Sequence, residues 1–584
     1  MHPSPFIVIE DSRANGEALG FARPEQIITA TTLDEVRPAL AALDRATRQD
    51  GLHAAGFIAY EAGYAFEDRL AHLPIGPTPT PLLWFGLFAE PHPVDETGIA
   101  GWAEEGLESF ELDRTAHQFA PEIAAIHGYL QSGDVYQINH TMRGHFKTER
   151  SARALYAAMR PGQRVGHGAL IETADFSVLS WSPELFLERA GHRLTTRPMK
   201  GTAPRGRTPA EDDAAAQALQ NDEKCRAENL MIVDLLRNDL GRIARPGSVH
   251  VDSLFAVERY LSFNTLTSTI HADIDPALGL CEVMPALFPC GSVTGAPKIR
   301  AMELIADLEG RPRGVYTGAI GHIRPGGDFS FNVAIRTAVI EPDGSGTLGI
   351  GAGIVADSDA DAEYRESALK ARFLTNPVPQ FELFETTIFE PGQGPVLLDP
   401  HIERLELSAR YFGFPFDRRA LLDMLSAVEG EVPLRLRFAL GYDGAFHLQT
   451  RPLTPQDQPK TGLIGWAQTP VSSSDPFLFH KTSHRAAYNQ AMADAQAAGL
   501  LDLIFVNERG EVTEGARTTL LVHDGSALLT PALTCGLLAG TVRAQMLERG
   551  LAREAVLSRS DIETAPGLFV CNSVMGLVPV RFPR

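Results

Sequence analysis

The stretch KCRAENLMIVDLLRNDLG, residues 224–241, has the spacing of one long amphipathic helix. Its apolar side chains recur along one stripe, and that stripe extends back to Glu228. Around it the chain carries β-like runs such as GFIAYEAGYAF at 56–66, SFNVAIRTAVI at 330–340 and GTLGIGAGIVA at 346–356. Because helical and β-like segments are mixed along the chain, the sequence predicts an α+β fold.

A Pro-broken segment, TNPVPQ at 375–380, separates this region from a second one. After it, LRLRFAL and LDLIFVN have the composition of strands, while HIERLELSARYFG and TVRAQMLERG read as helices that end at glycine. The sequence therefore predicts two α+β domains, residues 1–375 and residues 381–584.

Composition and charge exclude several classes of protein. The 584 residues are 44% hydrophobic, as in globular proteins, and the net charge of −21 opposes binding to nucleic acid or to an anionic membrane. The five cysteines form no CxxC pattern, which is typical of reduced thiols in a cytoplasmic protein. The start, MHPSPFIVIEDSR, has no signal-peptide pattern, and no apolar run is long enough to cross a bilayer. We expect a cytoplasmic protein that binds neither nucleic acid nor membrane.

Acidic residues mark a candidate metal site in the first domain. Glu228 would face inward, and a buried carboxylate needs a counter-charge or a metal. Glu363 and Glu366 share a helix face in GAGIVADSDADAEYRESALK, residues 351–370. Carboxylates from these two segments would suit a hard cation such as Mg²⁺. The alternatives are a rim arginine paired with Glu228 and an ordinary i,i+4 pair of Glu366 with Lys370, and the spacing leaves both open.

Seven blocks in a fixed order resemble the chorismate-binding family. The blocks are WSPELF (181–186), RPMKGTAPRG (197–206), RAENLMIVDLLRNDLGR (226–242), CGSVTGAPKIRAMELI (290–305), YTGAIG (316–321), FNVAIRT (331–337) and GAGIVADSDADAEYRE (351–366). The resemblance implies a β-sandwich-like core with outer helices. Lys200 stands where anthranilate synthases of this family usually carry alanine, so the resemblance is to the aminodeoxychorismate synthase branch, which aminates chorismate at ring carbon 4.

This resemblance implies roles for particular residues. Lys200 would attack ring carbon 2 and expel the 4-hydroxyl, Glu184 would protonate that hydroxyl, and ammonia would then add at carbon 4 and release Lys200. Without the resemblance, Lys200 would be interpreted as a loop lysine that pairs with an anion. The Mg²⁺ ligands would be Glu228, Glu363 and Glu366.

The resemblance also implies contacts to the substrate carboxylates from Tyr316, from Arg336 and from the backbone of Gly351, Ala352 and Gly353. The alternatives are a core ring for Tyr316 and a sheet-edge arginine for Arg336. Two positions depart from the family pattern: Cys225 stands where an acidic residue is usual, and Thr265 where many members have histidine. We expect Mg²⁺ to bind, with its affinity weakened by the lost carboxylate.

In the second region only Lys460 and Lys481 could form an imine, and Lys460 lies in a Pro-flanked polar turn, QDQPKTG. Lys481 is therefore the better candidate, although a surface lysine beside a helix start is common. FETT (384–387), HIERLELSARYFGF (401–414), FVNERGEVTEGARTTLLV (505–522) and LLAGTVRAQMLERG (537–550) resemble, in order and spacing, the fold-type IV pyridoxal-phosphate enzymes.

That resemblance implies a pyridoxal 5'-phosphate site. Lys481 would bind the cofactor and act as acid and base, and Glu514 would pair with the pyridine nitrogen. Taken alone, Gly540 and Thr541 are only a helix cap, and Arg404 is only a solvated helix residue. With the resemblance, the phosphate ligands would be Arg404, Gly540, Thr541, Thr518 and Thr519.

Together the two resemblances predict a bifunctional enzyme that converts chorismate to 4-amino-4-deoxychorismate and then eliminates pyruvate to give 4-aminobenzoate, a folate precursor. No GxCxGxQ nucleophile block occurs, so a separate glutamine amidotransferase subunit would supply ammonia. A homodimer through the second domain is a further expectation. The alternatives are an anthranilate- or salicylate-type front domain, an aminotransferase rear domain, and a non-catalytic role for one half.

Overall fold

The computed structural model describes residues 5–14, 16–94, 99 and 107–583. It divides into two compact units: the first contains Met1–Pro204 and Ala216–Pro379, and the second contains Arg205–Ala215 and Gln380–Arg584. The main division, at Pro379, falls in the Pro-broken segment that the sequence marks. Residues 205–215 group with the second unit although they lie within the chain of the first, and sequence patterns give no sign of this.

The first unit contains two large sheets and a set of helices. Its strands are β1 Phe6–Glu10, β2 Ala18–Ala22, β3 Gln26–Ala30, β4 His53–Ile58, β5 Leu83–Phe88, β6 His92–Pro93, β7 Ser109–Leu112, β8 Gln137–Lys147, β9 His167–Glu172, β10 Ser177–Ser182, β11 Leu185–Ala190, β12 Arg193–Arg197, β13 Met199–Pro204, β14 His250–Arg259, β15 Phe263–Asp273, β16 Gly295–Ala296, β17 Ala319–Ile323, β18 Phe329–Val333, β19 Thr337–Ile340 and β20 Ser345–Ile354. Its helices are α1 Leu33–Arg48, α2 Ala116–Gln131, α3 Ala152–Met159, α4 Pro209–Asn221 (which begins in the second unit), α5 Glu223–Gly241, α6 Leu280–Leu287, α7 Lys298–Glu309, α8 Ala360–Lys370 and α9 Arg372–Thr375.

The two sheets of the first unit form a sandwich. One has the order β16-β8-β20-β19-β10-β9-β1-β2-β6, with β7 beside β8, and the other β13-β15-β12-β11-β18-β17-β4-β5-β3, with β14 beside β15. Apolar side chains from both sheets, such as Ile7, Phe57 and Val178, pack in one buried cluster. Helices cover the outer faces, because α1, α5 and α6 contribute to one further cluster and α2, α3 and α7 to another. The predicted sandwich with outer helices is confirmed.

The helix predicted from residues 224–241 is α5. Asp222 caps it by accepting a hydrogen bond from the Cys225 backbone N–H at 2.7 Å. Ile232 and Leu236 on its apolar stripe are fully buried. Burial of this stripe fixes the rotation of the helix, and with it the position of Glu228 one turn earlier.

The run GFIAYEAGYAF is only half a strand, which corrects the sequence interpretation. The strand β4 ends at Ile58, and Tyr60–Phe66 form a 3₁₀ helix. The buried Glu61 side chain accepts hydrogen bonds from the backbone N–H groups of Arg313 at 2.6 Å and Gly314 at 3.0 Å. These side-chain bonds replace the ladder bonds that a continued strand would make. The run SFNVAIRTAVI is likewise broken at Arg336, whose φ is 49°.

The second unit contains two further sheets. Its strands are β21 Leu383–Glu390, β22 Gly394–Pro395, β23 Leu434–Leu440, β24 Phe446–Pro452, β25 Gly462–Trp466, β26 Asp502–Val506, β27 Val512–Gly515, β28 Thr519–His523, β29 Leu528–Pro531, β30 Arg553–Ala555, β31 Gly567–Asn572 and β32 Gly576–Arg581. Its helices are α10 Leu398–Phe412, α11 Arg418–Ser426, α12 Ala486–Ala497, α13 Thr541–Glu548 and α14 Arg559–Glu563. The sheet orders are β22-β21-β23-β24 and β27-β26-β25-β32-β31-β28-β29-β30, so the predicted second α+β domain is confirmed.

Residues 205–215 are held in the second unit by polar contacts. Arg205 donates to the backbone oxygen of Tyr411 at 2.9 Å, and the Tyr411 hydroxyl donates to the backbone oxygen of Gly206 at 2.7 Å. Arg410 pairs with Asp213 at 3.0 Å. In the part of the chain that the structure describes, no helix has the length and apolarity needed to span a membrane.

Candidate active sites

The first candidate site is built around Lys200 on β13. In the described part of the chain its Nζ has no hydrogen bond and no ion pair. Burial lowers the pKa of Lys200; the carboxylate of Glu228 opposes this effect, and Lys370 adds to it. The amine is therefore closer to its neutral, nucleophilic form than a surface lysine would be.

Gly353 leaves room for the Lys200 side chain because it has no side chain of its own. A methyl group on Gly353, in β20, would lie 2.6 Å from Lys200 Nζ and 2.6 Å from Gln137 Nε2. Gly351 is equally restricted, because a methyl group there would lie 2.6 Å from the His140 backbone oxygen. Ala352, between them, is buried and pairs with His140 in β8. The glycines of GAGIV thus allow the backbone to approach the lysine closely.

Glu184 is buried and lies close enough to Lys200 for the charge of the lysine to act on its pKa. Burial raises its pKa to about 7, although a hydrogen bond with Ser292 and the charge of Lys200 oppose the rise. Its Oε1 has no hydrogen-bond partner in the described structure. A carboxyl group that is partly protonated near neutral pH, with one free oxygen, can serve as a general acid.

The backbone that carries Lys200 is held by residues whose role the sequence did not reveal. Asn229 donates from Nδ2 to the Lys200 backbone oxygen at 3.3 Å and accepts from Ser268 at 2.6 Å. Thr265 donates to the Gly201 backbone oxygen at 3.0 Å. Asn229 is adjacent to Glu228, so α5 positions both the lysine strand and a candidate metal ligand.

Gln137 is a second residue that sequence reasoning missed. Its side chain is 1% exposed, and neither amide atom has a partner in the described structure. A buried amide without a partner is costly unless a ligand satisfies it. Nothing in the local pattern QINH marks it, because its closeness to Gly353 and Lys200 arises only when β8 pairs with β20.

The predicted metal ligands lie on α5 and α8 but have other partners. Glu363 accepts from the Ser358 hydroxyl at 2.8 Å, and Glu366 pairs with Lys370 at 2.9 Å, as the i,i+4 alternative predicted. Burial raises the pKa values of Glu228 and Glu363. Burial acts to raise the pKa of Glu366 as well, but Lys370, Lys200 and Lys224 together outweigh it and the pKa is lowered.

These carboxylates are hard oxygen donors of the kind that Mg²⁺ prefers. Among the described residues, however, no three histidine, cysteine or acidic side chains are close enough to hold a metal ion. Cys225 packs against Gly201: a methyl group added to Gly201 would lie 3.3 Å from Cys225 Sγ. Burial raises the pKa of the Cys225 thiol to about 12. The donor chemistry therefore fits Mg²⁺, while the ligand set remains a prediction.

Arg336 is suited to bind an anion. Burial lowers its pKa to about 10, and in the described chain it forms no ion pair. Its Nη1 donates to Gln163 Oε1 at 2.7 Å, and its Cζ lies 4.4 Å from the centre of the Phe263 ring. Tyr316 is buried against Gly349, so it also fits its alternative role as a core ring. A largely desolvated guanidinium without a carboxylate partner favours the substrate-binding interpretation of Arg336.

The second candidate site is built around Lys481. Its Nζ has no hydrogen bond or ion pair among the described residues and lies 4.9 Å from the centre of the Phe384 ring. Burial lowers the pKa of Lys481 to about 7, and the charge of Arg404 contributes to this. The interpretation as an ordinary surface lysine is therefore wrong for this residue.

Glu514 is the buried carboxyl of the second site. Its Oε1 accepts hydrogen bonds from the Leu538 backbone N–H and from the Tyr488 hydroxyl, both at 3.2 Å. Burial raises its pKa to about 7. A carboxyl group held in this way fits the role of partner for a pyridine nitrogen.

The predicted phosphate ligands lie around the start of α13. Arg404 donates to the backbone oxygen of Ala539 at 2.9 Å, and a methyl group on Gly540 would lie 2.8 Å from Thr519 Oγ1. Thr541 begins the helix, where free N–H groups favour a phosphate. Thr518 is different, because its hydroxyl donates to Asp502 at 2.7 Å. The structure therefore brings four of the five predicted ligands together.

Arg404 is not the free solvated arginine of the alternative interpretation. Its Nε and Nη2 donate to the two oxygens of Glu385 at 2.8 Å and 2.6 Å, and His401 Nδ1 lies 2.7 Å from the same carboxylate. Arg404 and His401 together lower the pKa of Glu385 to about 2, against burial, which acts to raise it. Sequence reasoning missed Glu385 and His401, although both lie in the quoted blocks FETT and HIERLELSARYFGF.

Comparisons with known proteins assign a class to each unit. Residues 102–376 match the family described as chorismate binding enzyme, and residues 382–581 match the family described as amino-transferase class IV. The chain therefore carries a chorismate binding enzyme domain followed by a class IV aminotransferase domain.

Particular relatives resemble the first of these domains. Aminodeoxychorismate synthase component 1 of Bacillus subtilis is 40% identical over 263 residues, which are 45% of this chain and 56% of the relative. Anthranilate synthase component 1 1 of Haloarcula marismortui is 37% identical over 302 residues, which are 50% of this chain and 62% of the relative. The chain thus matches less than two thirds of the length of each of these relatives.

A solved structure supports the fold. Anthranilate synthase component I from Streptococcus pneumoniae superposes with a TM-score of 0.51 at 26% identity, over 64% of this chain and 93% of that one.

Proposed function

We propose that this chain converts chorismate and ammonia to 4-amino-4-deoxychorismate in its first unit, and that its second unit eliminates pyruvate from that intermediate to give 4-aminobenzoate. One observation carries the proposal. Each unit holds a lysine with a lowered pKa and no ion pair, and in each unit the lysine lies near a buried carboxyl whose pKa is raised to about 7. These pairs are Lys200 with Glu184 and Lys481 with Glu514.

In the first unit, Lys200 Nζ bonds to ring carbon 2 of chorismate while the bond between carbon 4 and its hydroxyl breaks. Glu184 gives its proton to that hydroxyl, which leaves as water. Ammonia then bonds to carbon 4, and the bond from carbon 2 to Lys200 breaks. Arg336 holds a substrate carboxylate, and the Gln137 amide lies where it can orient the incoming group.

The carboxylates of Glu228, Glu363 and Glu366 would hold Mg²⁺ against the ring carboxylate of chorismate. Bound Mg²⁺ would supply a positive charge that orients this carboxylate. Lys370 donates to the Gly351 backbone oxygen at 2.9 Å and would release Glu366 when the cation enters.

In the second unit, Arg404, Thr519, Gly540 and Thr541 would hold the phosphate of pyridoxal 5'-phosphate, and Glu514 would keep its ring nitrogen protonated. The bound cofactor supplies an electron sink for the elimination. Lys481 removes the proton from ring carbon 4, the bond from carbon 3 to the enolpyruvyl oxygen breaks, and the ring becomes aromatic. The released enolpyruvate takes up a proton and becomes pyruvate.

Lys200 favours this function over anthranilate formation. The relatives include an aminodeoxychorismate synthase component 1 and an anthranilate synthase component 1 1, so overall similarity does not separate the two activities. We further propose that a glutamine amidotransferase subunit supplies ammonia, because the Bacillus subtilis relative is named as a component 1. The cytoplasmic location and the homodimer remain predictions.

The identity of the aromatic product tests the proposal. The purified chain is incubated with chorismate, Mg²⁺, ammonium and pyridoxal phosphate, and the products are separated by chromatography. We expect 4-aminobenzoate and pyruvate in equal amounts. Formation of 2-aminobenzoate would identify an anthranilate-type front domain. Amino transfer to an added keto acid, with 4-amino-4-deoxychorismate left unconverted, would identify an aminotransferase.

A further inference from the structure

An arginine-rich face adjoins Lys481 and takes no part in the roles described above. Side chains alternate across a strand, and the pairing of β21 with β23 aligns Thr386 with Arg437 and Ile388 with Arg435. Phe384 lies two residues before Thr386 and therefore points to the same side of the sheet. The opposite side carries Glu385 and Leu436, which are buried.

The Phe384 ring links this face to the reacting lysine. Arg437 Cζ lies 4.6 Å from the ring centre, and Lys481 Nζ lies 4.9 Å from the same centre. Because both cationic groups lie within 5 Å of the same ring centre, they are less than about 10 Å apart. A six-membered substrate ring whose amine is held at Lys481 would place its other substituents within reach of Arg437.

Positive charge on this face exceeds the negative charge that faces it. Arg451 binds Asp457 through two hydrogen bonds of 2.7 Å and 2.6 Å, so this carboxylate is already neutralised. Arg435 lies 3.9 Å from the same carboxylate, and Arg437 donates one long hydrogen bond of 3.5 Å to Glu382.

Burial lowers the pKa of Arg435, and the positive charges of Arg451, Arg517 and Arg437 add to that effect, while Asp457 opposes it. A cluster of cations in a chain of net charge −21 indicates a site for an anion.

The turn between β27 and β28 places Arg517 beside the arginine-rich face of β21 and β23. Asn572 donates to the Arg517 backbone oxygen at 3.1 Å, and the neighbouring Ser573 donates to the Thr386 backbone oxygen at 2.7 Å. These bonds tie the arginine turn to β21, the strand of Phe384. The next residues along the chain, Thr518 and Thr519, belong to the predicted phosphate loop. The arginine face thus borders the proposed cofactor site on the side of Phe384.

We propose that Arg437, with Arg435 beside it, binds the carboxylates of the ring substrate in the second unit and selects a ring dicarboxylate over an ordinary amino acid. This inference rests on the proposed function, whose intermediate carries two carboxylates and one amine. An aliphatic amino acid has only the carboxylate next to its amine and cannot reach across the Phe384 ring. Arginine suits this role because its planar guanidinium donates two parallel hydrogen bonds to a carboxylate.

The test compares Arg437→Gln with Arg419→Gln, a matched change at a fully solvated arginine of the same unit. The full chain loaded with pyridoxal phosphate is given 4-amino-4-deoxychorismate, and pyruvate release is followed. We expect the KM of R437Q to rise at least about tenfold with kcat within about threefold of wild type, and R419Q to be unchanged. A KM of R437Q within twofold of wild type would overturn the proposal.

A binding measurement separates this inference from the proposed function. Calorimetric titration of the loaded chain compares 4-aminoisophthalate, which has two carboxylates, with 4-aminobenzoate, which has one. Wild type should bind the dicarboxylate more tightly than the monocarboxylate, and the ratio of the two Kd values should be at least about tenfold smaller in R437Q. The result is informative even if wild type releases no pyruvate, an outcome that would refute the proposed function alone. An unchanged preference in R437Q would refute the arginine site alone.

Two further variants distinguish a loss of carboxylate binding from a structural effect of the Arg437 substitution. Arg437→Lys keeps the charge and should recover part of the dicarboxylate preference that R437Q loses. Arg435→Gln changes a more exposed side chain and should weaken the preference about threefold to tenfold. Thermal unfolding checks that each variant is folded. If folded R437K prefers the dicarboxylate no more than R437Q does, and R435Q prefers it as much as wild type does, the face does not recognise carboxylates.

Discussion

Lys200 and Lys481 both keep a free amino group, but the charge that acts most strongly on the pKa of each has the opposite sign. The strongest charge acting on Lys200 is the carboxylate of Glu228, which opposes the effect of burial on its pKa. The strongest charge acting on Lys481 is the guanidinium of Arg404, which adds to the effect of burial and brings the pKa to about 7. A large fraction of Lys481 is thus neutral near pH 7, although the carboxylates of Glu385 and Glu514 act to raise its pKa.

The difference shows how each site would be activated. Around Lys481, Arg404 and Arg485 lower the pKa of the amine, and the anions that oppose them are Glu385, which binds Arg404, and Glu514, whose own pKa is raised to about 7. Around Lys200, Glu228 and Glu366 favour the ammonium form until a cation neutralises them. We therefore expect Mg²⁺ to lower the pKa of Lys200 further in the first site, whereas the pKa of Lys481 is already set by the side chains around it. The following changes test this contrast.

Removing each lysine should have the largest effect. Lys200→Ala should lower amination of chorismate by at least about 10³-fold, and Lys481→Ala should do the same to pyruvate release from supplied 4-amino-4-deoxychorismate, because each removes the reacting nitrogen. Each variant should keep the other partial reaction within about twofold. Initial rates of the two partial reactions measure this, with Lys460→Ala as the matched control. If one lysine change abolished both reactions in a folded protein, the two sites would not be separate.

Removing the acid of the first site should have the next largest effect. Glu184→Gln keeps the shape and removes the transferable proton, so amination should fall about 10²-fold while pyruvate release is unchanged. The pH dependence of amination tests the same role of Glu184. The pKa of Glu184 is raised to about 7, so its acid form is present below pH 7 and is lost above it. Because both proteins share the pH dependence of Lys200, the ratio of wild-type to E184Q amination at constant free ammonia should decline as the pH rises through about 7. A rate that does not depend on the acid form would remove Glu184 from this role.

A single methyl group at Gly353 should damage the first site alone. It would lie 2.6 Å from Lys200 Nζ and from Gln137 Nε2, so Gly353→Ala should lower amination about tenfold to 100-fold by displacing them. Gly128→Ala is the control, because no atom lies within 4 Å of the added methyl group. Chorismate amination and thermal unfolding are measured for both. Full amination by G353A would show that the close approach is unimportant.

The second site should capture its cofactor in a pH-dependent way. Because the pKa of Lys481 is about 7, the fraction of neutral amine is high above pH 7 and falls about tenfold per pH unit below it. The rate at which the cofactor-free chain takes up pyridoxal phosphate, followed by absorbance, should decline in the same way as the pH is lowered. A rate that kept rising up to pH 10 would mean that Lys481 has the pKa of an ordinary lysine.

The smallest effect should come from Cys225. Cys225→Asp restores an acidic residue next to the predicted metal ligands, and we expect the Mg²⁺ concentration for half-maximal amination to fall about threefold. Cys225→Ser is the uncharged control at the same position. If C225S and C225D needed the same Mg²⁺ concentration, the missing carboxylate would not limit metal binding in this chain.

The spacing of apolar residues predicted those helices and strands whose formation depends mainly on residues close together in the sequence. The helix over residues 224–241 and the strand LRLRFAL were predictable because each has an apolar period that matches its burial. The 3₁₀ helix at Tyr60–Phe66 was not, because it depends on Glu61 reaching the distant N–H groups of Arg313 and Gly314. The grouping of residues 205–215 with the second unit also depends on distant contacts.

The candidate sites show the same limit. The family blocks indicated Lys200 and Lys481, but not that both amines lack an ion pair, which is a property of packing. Gln137 is an ordinary strand residue in the sequence, and only the pairing of β8 with β20 places its amide beside Gly353. The pairing of Arg404 with Glu385 likewise required the contact of α10 with β21.

Mixing the two lysine variants tests the central claim most directly. Chorismate, Mg²⁺, ammonium and pyridoxal phosphate are supplied to Lys200→Ala alone, to Lys481→Ala alone and to an equal mixture, and 4-aminobenzoate is quantified. The account predicts no 4-aminobenzoate from either variant alone, accumulation of 4-amino-4-deoxychorismate with Lys481→Ala, and 4-aminobenzoate from the mixture. Production of 4-aminobenzoate by either variant alone would contradict the account, as would its absence from a mixture in which each variant retains its own partial reaction.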